Sequence, residues 1–523
     1  MTVYPAPDAV SDSPYSVTVG GKAVPIERGA SVVPAYYARF QSAGKAVVNV
    51  SVKGEGKLRA DLKPRKYRER FRVTGSTISF DVSKPGPRVL TIALGKEALP
   101  PLLVIVDPSE PPMKLSRAPG IYNVKDYGVT SDGIQTANIQ KALDACAAGK
   151  DGGTVYFGPG IYHTGTIRIR DNTTVYLAPG ALIMGSTDPA DYPVDVGRVE
   201  RGSHGVDCSF SRLIMFDHCT NSKICGWGVI DGQGHIMRNK HGRHVQIMDV
   251  TASRNIRIEN IVLRNSAEWT LHILACDNVE VDNLKIINDY GVGNTDGIDP
   301  DCSENVRIRN YFGYCGDDAV AIKTTGNSDL LRPAKSIRVE DSVVVTRKTS
   351  YKVGTETYAD ITDVLFKNCE AVESSRGAGI WARDSGRLSN ITYQDCKFDL
   401  KEFRKEGMSG EPIRIDMENR HGVSTVSGVS FVRCGFSAPY GSILQGMPES
   451  PVDSVRFEDC TFTIIPRQIK PDKIAAMRVS NASHFKFANV KVIWKTKDMS
   501  RWDDFLSLSN AKDISTDGIT QSR

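Results

Sequence analysis

Residues 255–265 read NIRIENIVLRN, and the line returns as NVEVDNLKIIN at 278–288 and as NVRIRNYFGYC at 305–315. In each, apolar and polar residues alternate for five or six positions, the period of a strand with one face buried. A polar corner then breaks the alternation, and a second short apolar run follows. Further copies start at Ser336 (SIRVEDSVVVT), Asp363 (DVLFKNCEAVE), Asn390 (NITYQDCKFDL), Gly428 (GVSFVRCGFSA), Ser454 (SVRFEDCTFTI) and His484 (HFKFANVKVIW). Successive starts lie 23, 27, 31, 27, 27, 38, 26 and 30 residues apart. A period near 27 built from alternating strands is the signature of a β-solenoid, in which one coil cannot bury its inward face and coils must stack. A sandwich of regular hairpins fits less well, because the connections lack Asn-Gly turns. Cys369, Cys396, Cys434 and Cys460 share one phase of the repeat, which predicts an inward ladder of thiols.

Working outward, the repeat accounts for residues 121–523. Near its start Ile139, Ala142, Leu143 and Cys146 fall on one helical face, with Gly149 at the end. This helix is expected to cap the open end of the solenoid, where a strand edge is otherwise exposed. Residues 1–107 read as a small antiparallel β-sandwich, with strands at YSVTVGG, AVVNVSVKG, STISFDVS, RVLTIALG and PLLVIVD. Between the two lies PSEPPMKLSRAPG, residues 108–120, with four prolines, a linker. The fold class is therefore all-β: a parallel solenoid preceded by a sandwich.

The whole-chain figures agree. At 523 residues the chain exceeds one ordinary compact domain. Its 40% hydrophobic and 24% charged residues are those of a globular protein. It has no run of about 18 apolar residues, so no membrane span is expected. The net charge of +5 is weak for this length, and no basic stripe with interleaved aromatics argues for nucleic acid. The N-terminus as written has neither a basic nor an apolar leader segment. The 11 cysteines begin only at Cys146 and suit buried thiols, which favours a cytoplasmic setting. A secreted or periplasmic chain with its leader removed reads the same way.

The chemistry concentrates in NTDGIDPDCSENVRIRNYFGYCGDDAVAIK, residues 294–323. Asp296 precedes one strand line, and Asp317 and Asp318 follow it, a little under one coil later. The three carboxylates are thus expected on adjacent rungs about 5 Å apart along the axis. At that range they repel, and one pKa must rise. A protonated acid beside ionised carboxylates is what glycoside hydrolysis requires. Clustered carboxylate oxygens also suit Ca²⁺, and a solvated acidic turn needs no function at all.

This segment resembles the active-site signature of the polygalacturonase family, glycoside hydrolase family 28. The likeness extends to DGIQTANIQKALDACAAGKDGGTVYFGPGIYHTGTIRIRDNTTVYLAPGALI, GVIDGQG and NIRIENIVLRNSAEWTLHILACDNV, and covers about 118–510. The resemblance implies a right-handed parallel β-helix and an inverting hydrolase of a pectic polysaccharide or oligosaccharide, with no cofactor and no metal. Asp317 would match the general acid. Asp296 and Asp318 would match the pair that holds and deprotonates water, and Asn294 would order Asp296.

Two family motifs are missing. Where a Gly-His-Gly turn is expected the chain reads RKTSYKVGTET, residues 347–357, with Thr349 at the His position. Where an Arg-Ile-Lys strand is expected it reads GAGIWARDSG, residues 377–386. In the family these basic groups grip a uronic carboxylate. Lys352, Glu356 and Arg383 are the local substitutes or else ordinary solvated side chains, Trp381 is a candidate sugar-stacking platform or else the cover of a strand, and Lys323 is a further substrate-binding candidate. The segment HIMRNKHGRH, residues 235–244, reads as a basic loop, either solvated or at the cleft edge, and as a poor zinc site. His272 reads as structural. Insertions at 181–217 and 400–425 read as walls of the cleft. Rival functions are hydrolysis of a neutral α-glycan, as in dextranase-like relatives, polysaccharide lyase activity, and a non-catalytic glycan-binding solenoid.

Overall fold

The computed structural model describes the chain except residues 31, 68, 111–119, 194–199, 202–206, 209–210, 327–328, 404–409, 466–472, 497–498 and 523. From Ile121 to Ser522 successive strands stack in parallel, apart from the short antiparallel pair Glu200–Arg201 and Asp207–Cys208, and each full coil adds one strand to each of three ladders. One central coil runs Ile298–Asp301, Glu304–Arg309, Phe312–Cys315, and the next runs Val320–Thr324, Ala334–Glu340, Val343–Thr346. Between them Ile298 pairs with Val320, Ile308 with Val339 and Tyr314 with Val345. The chain is a parallel β-helix. The rhyming lines of the sequence are its second and third ladders, and the first ladder lies in the stretches between them.

The polar corners have a conformational cause. Asn255, Asn278 and Asn305 open their lines at φ +55°, +58° and +56°, a left-handed conformation that Asn tolerates better than most residues. Their side chains also stack: Asn278 donates to Asn255 Oδ1 at 2.7 Å and Asn255 to Asn221 Oδ1 at 2.8 Å. Inside, Phe366, Tyr393, Phe431, Phe457 and Phe487 form one column with successive ring centroids 4.7, 5.0, 5.0 and 4.9 Å apart. That is the spacing of the rungs themselves. Cys369, Cys396, Cys434 and Cys460 are free and buried, and each thiol donates to a carbonyl of the preceding coil. The helix Thr136–Ala147 turns Ile139, Ala142, Leu143 and Cys146 into this core.

The N-terminal region forms two facing sheets. One contains Tyr15–Val19, Ala46–Val52 and Thr77–Val82; the other contains Ala35–Ser42, Gly86–Leu94 and Leu102–Pro108. The expected all-antiparallel sandwich is corrected at one place, since Ala35–Ser42 and Leu102–Pro108 pair in parallel. Ala35–Ser42 escaped the sequence reading because it is buried on both faces and shows no alternation. Tyr36, Ala38 and Phe40 enter the sandwich core. Tyr37, with Leu103 and Ile105, packs on Val262, Ile287, Phe312 and Val343 of the third ladder. Buried charges join the two parts as well: Arg264 donates to Asp231 at 2.7 Å and to Tyr37 Oη at 3.0 Å, and it also meets Asp8.

Other expectations are corrected or lie out of view. Most of the linker 108–120 falls outside the described residues. The two insertions are shorter than expected, because Ala181–Gly185, Ser211–Asp217 and Glu411–Met417 are rungs of the solenoid. Among the described residues no helix is long and apolar enough to cross a membrane.

Candidate active site

Asp296 lies in the turn entering Ile298–Asp301, and Asp317 and Asp318 in the turn entering Val320–Thr324. Because these first-ladder strands are neighbours, the three carboxylates stack, with one oxygen of each within 4.8 Å of the others. The close approach needs small residues in the turns. A Cβ on Gly297 would come within 2.3 Å of Ala319 O, and one on Gly316 within 2.1 Å of Val292 O. Asp296 and Asp318 are buried, and Asp317 is half-buried.

Each carboxylate has different company. Asp318 accepts the Thr349 N–H at 2.9 Å and the Lys352 ammonium at 2.6 Å. Asp317 accepts the backbone N–H of Asn294 at 2.9 Å and that of Asp318 at 3.0 Å. Asp296 has Lys323 Nζ at 3.5 Å. The protonation states separate accordingly. Burial works against ionisation of Asp318, but Lys352 and the two hydrogen bonds hold it below the usual carboxylate range. Burial, and then the Asp318 charge, push Asp317 up. Burial and Asp299 push Asp296 well up, against the pull of Lys323. Asp317 is thus the half-exposed acid beside an ionised Asp318.

Around this core the first ladder's outward side chains continue the charge pattern. Lys323 stands 3.4 Å from Asp299 and 4.0 Å from Glu356, with its ammonium 3.5 Å above the Trp269 ring. Asp299 is held at about 6 by its burial, which Lys323 only partly offsets. Its contact with Lys323 is an ion pair not aligned as a hydrogen bond. Glu356 meets Arg420 at 3.8 Å, and Arg420 is anchored on Asp384 at 2.8 Å. Further along, Arg376 and Arg414 share Glu411, and Arg414 also reaches Asp416. The three clustered carboxylates are also the set that would hold a divalent cation. Lys352 and Lys323 already compensate two of them.

Of the candidates from sequence, Asp296, Asp317, Asp318, Lys323, Lys352 and Glu356 fall in one cluster. Asn294 meets Asp317 through its backbone rather than ordering Asp296. Arg383 lies apart from the acids, paired with Glu418 at 3.0 Å and Asp416 at 3.5 Å. Trp381 is corrected: at 8% exposure it is no open platform. Its ring lies across Gly379, where a Cβ would come within 2.2 Å of it, and carries Lys352 at 5.0 Å. The segment 235–244 is corrected too, since Gly234–His241 is a helix ended by Gly242 at φ +62°. Its Arg238 donates to Gly293 O at 2.6 Å. His272 is buried between Asp301 at 3.1 Å and Asp249 at 3.6 Å, a structural position.

Sequence reasoning missed Asp299, Trp269, Arg376, Arg414 and Arg420. Asp299 and Arg414 were accessible in principle. Asp299 pairs in register with His272, and Arg414 with Gly379, so aligning the first-ladder rungs finds them.

Residues 197–434 match the family model "Glycosyl hydrolases family 28", and residues 121–187 match "Rhamnogalacturonase A/epimerase, pectate lyase-like". A probable polygalacturonase of Vitis vinifera is 28% identical over 49% of this chain and 55% of its own length. The chain spans about half the length of the first curated relatives it matches. Among solved structures, the exopolygalacturonase of Thermotoga maritima superposes with a TM-score of 0.61 at 19% identity, covering 73% of this chain and 93% of the other. The family 28 exopolygalacturonase of Yersinia enterocolitica gives 0.59 at 17% identity, covering 91% and 97%. These two likenesses establish the fold.

Proposed function

The chain carries a glycosyl hydrolase family 28 domain, and from that premise we propose that it hydrolyses α-glycosidic bonds in a pectic poly- or oligosaccharide with inversion. The observation that carries the reading is the adjacent pair Asp317 and Asp318 at one point of the first ladder, where Lys352 at 2.6 Å holds Asp318 down while burial and the Asp318 charge push Asp317 up. Asp317 delivers its proton to the glycosidic oxygen. Asp318, ionised against Lys352, takes a proton from the attacking water. Asp296, its carboxyl pushed well up by burial and by Asp299, orients that water by a hydrogen bond. General acid catalysis of this kind contributes about 10²–10⁴-fold.

Inversion rests on the family resemblance. One oxygen of each carboxylate lies within 4.8 Å of the others, closer than the roughly 6.5–9.5 Å typical of inverting pairs, so spacing by itself argues the other way. The anomer of the first-formed product, read by NMR, decides between them: the inverted anomer is expected, and the retained one overturns this part of the proposal.

The pectic substrate is supported by the curated relatives and by Lys348 and Lys352 beside Asp317. A neutral α-glycan is the second reading. It is favoured by the pairing of Arg376, Arg414 and Arg383 with Glu411, Asp416 and Glu418, which leaves little net positive charge along that stretch. Reducing ends released from homogalacturonan, rhamnogalacturonan and α-glucan test the choice. Turnover of pectic substrates that weakens with salt is expected. Salt-insensitive turnover of α-glucan alone overturns the pectic reading. An unsaturated, ultraviolet-absorbing product would mark a lyase, and no release from any substrate a binding solenoid.

A further inference from the structure

The loop that presents Asn294 to Asp317 is tied at its other end to the N-terminal sandwich. Asp289 is 2% exposed, and its carboxylate accepts the backbone N–H groups of Val32 at 2.5 Å and Val33 at 3.1 Å. Val32 and Val33 lie in the turn between Ile26–Ala30 and Ala35–Ser42, the strand that packs on the third ladder. The same carboxylate accepts the Gly291 N–H at 2.9 Å, and the Asp289 carbonyl accepts that of Val292 at 3.1 Å. From there Thr295 Oγ1 donates to Val292 O at 2.7 Å. Asn294, at φ +57°, donates its N–H to Asp317 at 2.9 Å. Val33 also fits against Gly291, where a Cβ would come within 2.7 Å of the Val33 side chain.

This arrangement exceeds what joining two modules requires. The apolar contact of Tyr37, Leu103 and Ile105 with the third ladder already does that. A buried carboxylate is costly unless several donors meet it. Here its donors come from both modules, and they converge on a short segment, Asp289–Asn294, that contains two glycines. Such a segment loses much backbone entropy when fixed. Its far side is held by Arg238 on Gly293 O, and its near side by Asp289.

We propose that Asp289 is a positioning residue through which the N-terminal sandwich fixes the 289–294 loop, and so holds the catalytic acid Asp317 in its working geometry. The sandwich is then part of the active site's framework.

The inference rests on Asp317 being the acid, so Asp317→Asn is run beside the test. The test itself is the pH profile of kcat and kcat/KM for full-length Asp289→Ala and Asp289→Asn on a substrate the wild type cleaves. The Asn294 N–H favours the ionised form of Asp317. Losing it shifts the alkaline limb, where Asp317 gives up its proton, to higher pH. Removing the Asp289 charge alone has the opposite sign, because one fewer negative charge nearby eases ionisation. Asp289→Ala is therefore expected to lower kcat by about ten- to a hundredfold, the scale of a displaced catalytic group, with the alkaline limb moved upward. Asp289→Asn, which keeps one acceptor oxygen, is expected to fall between it and the wild type. Wild-type kcat, or a limb that stays or moves down, in either folded variant overturns the inference whatever happens to Tm. If Asp289→Ala does not fold, Asp289→Asn carries the same test. Loss of turnover in Asp317→Asn with an unmoved Asp289 limb overturns this inference alone. Retained turnover in Asp317→Asn overturns the proposed function and this inference with it.

Discussion

Between Phe366 and Phe487 the solenoid repeats its inward rings coil by coil; between Asp296 and Lys352 the coils continue, but the side chains around the first ladder's turns carry charge instead of a repeated ring. In the first region each coil sets an aromatic ring on the one before, and the column is regular because every rung satisfies the same packing problem. In the second region the first ladder turns acids and lysines toward one another: Lys323 meets Asp296 and Asp299 and lies over Trp269 of a preceding coil, and Lys352 meets Asp318. The two regions lie on the same scaffold and differ in what the repeat is used for. Repetition builds the stiff frame. Departure from repetition marks where the frame holds groups in electrostatic states that water would not allow.

The comparison breaks if a change in the second region costs folding instead of chemistry. Asp317→Asn removes the proposed proton donor while keeping shape. Turnover is expected to fall by about 10²–10⁴-fold, with the denaturation midpoint unchanged or raised, since a carboxylate held up by burial and by Asp318 is relieved. Activity assays beside urea melts check this. A large loss of stability with turnover per folded molecule intact reverses the assignment of the two regions.

The reverse holds for the column. Phe431 is fully buried between Tyr393 and Phe457, 5.0 Å from each. Phe431→Ala is expected to cost about 3–5 kcal/mol of stability, read from chemical denaturation, while kcat per folded molecule stays at the wild-type value.

Arg383 sharpens the comparison at the border of the two regions. It is paired with Glu418 and Asp416, so Arg383→Ala on a uronate substrate is expected to lose about 1.5 kcal/mol, roughly tenfold in kcat/KM. The loss should shrink with added salt. An unchanged kcat/KM removes Arg383 from substrate binding. The smallest effect belongs to the corners. Asn278→Ala, at φ +58°, is expected to cost about 1–2 kcal/mol, and Asn278→Gly much less. Equal costs for the two would show that the stacked amide of Asn278, not its backbone conformation, is what matters there.

The sequence made the frame legible because its second ladder alternates cleanly, a short apolar run for the third ladder follows, and the chain turns at left-handed Asn and Asp corners. It made the acids legible because a spacing just under one coil places Asp296 and Asp317–Asp318 on adjacent rungs. What surrounds them was harder to read. Asp299 lies in a strand buried along its whole length and Arg414 in an isolated alternating one outside the rhyming lines, and the neighbours of both are set by register between coils. Trp381 was misread because a tryptophan in a strand looks like a platform until Gly379 on the same strand makes room for its ring to lie flat. Ala35–Ser42, buried on both faces, carried no period at all. The Asp289 tether joins residues more than 250 positions apart, which no local pattern reports.

The account's central claim is that Lys352 holds Asp318 ionised beside a protonated Asp317. It is tested most directly by the pH dependence of kcat/KM in the wild type and in Lys352→Met. The wild type should give a bell. Its acid limb reports protonation of Asp318, held low by the 2.6 Å contact with Lys352, and its alkaline limb reports loss of the Asp317 proton. Without the ammonium the carboxylate of Asp318 binds its proton more readily, so the acid limb must move to higher pH. The alkaline limb should move up less, because Lys352 acts on Asp317 only through space and behind stronger influences. A narrowed bell with its acid limb displaced upward is the predicted result. An acid limb that stays where the wild type has it would contradict the account.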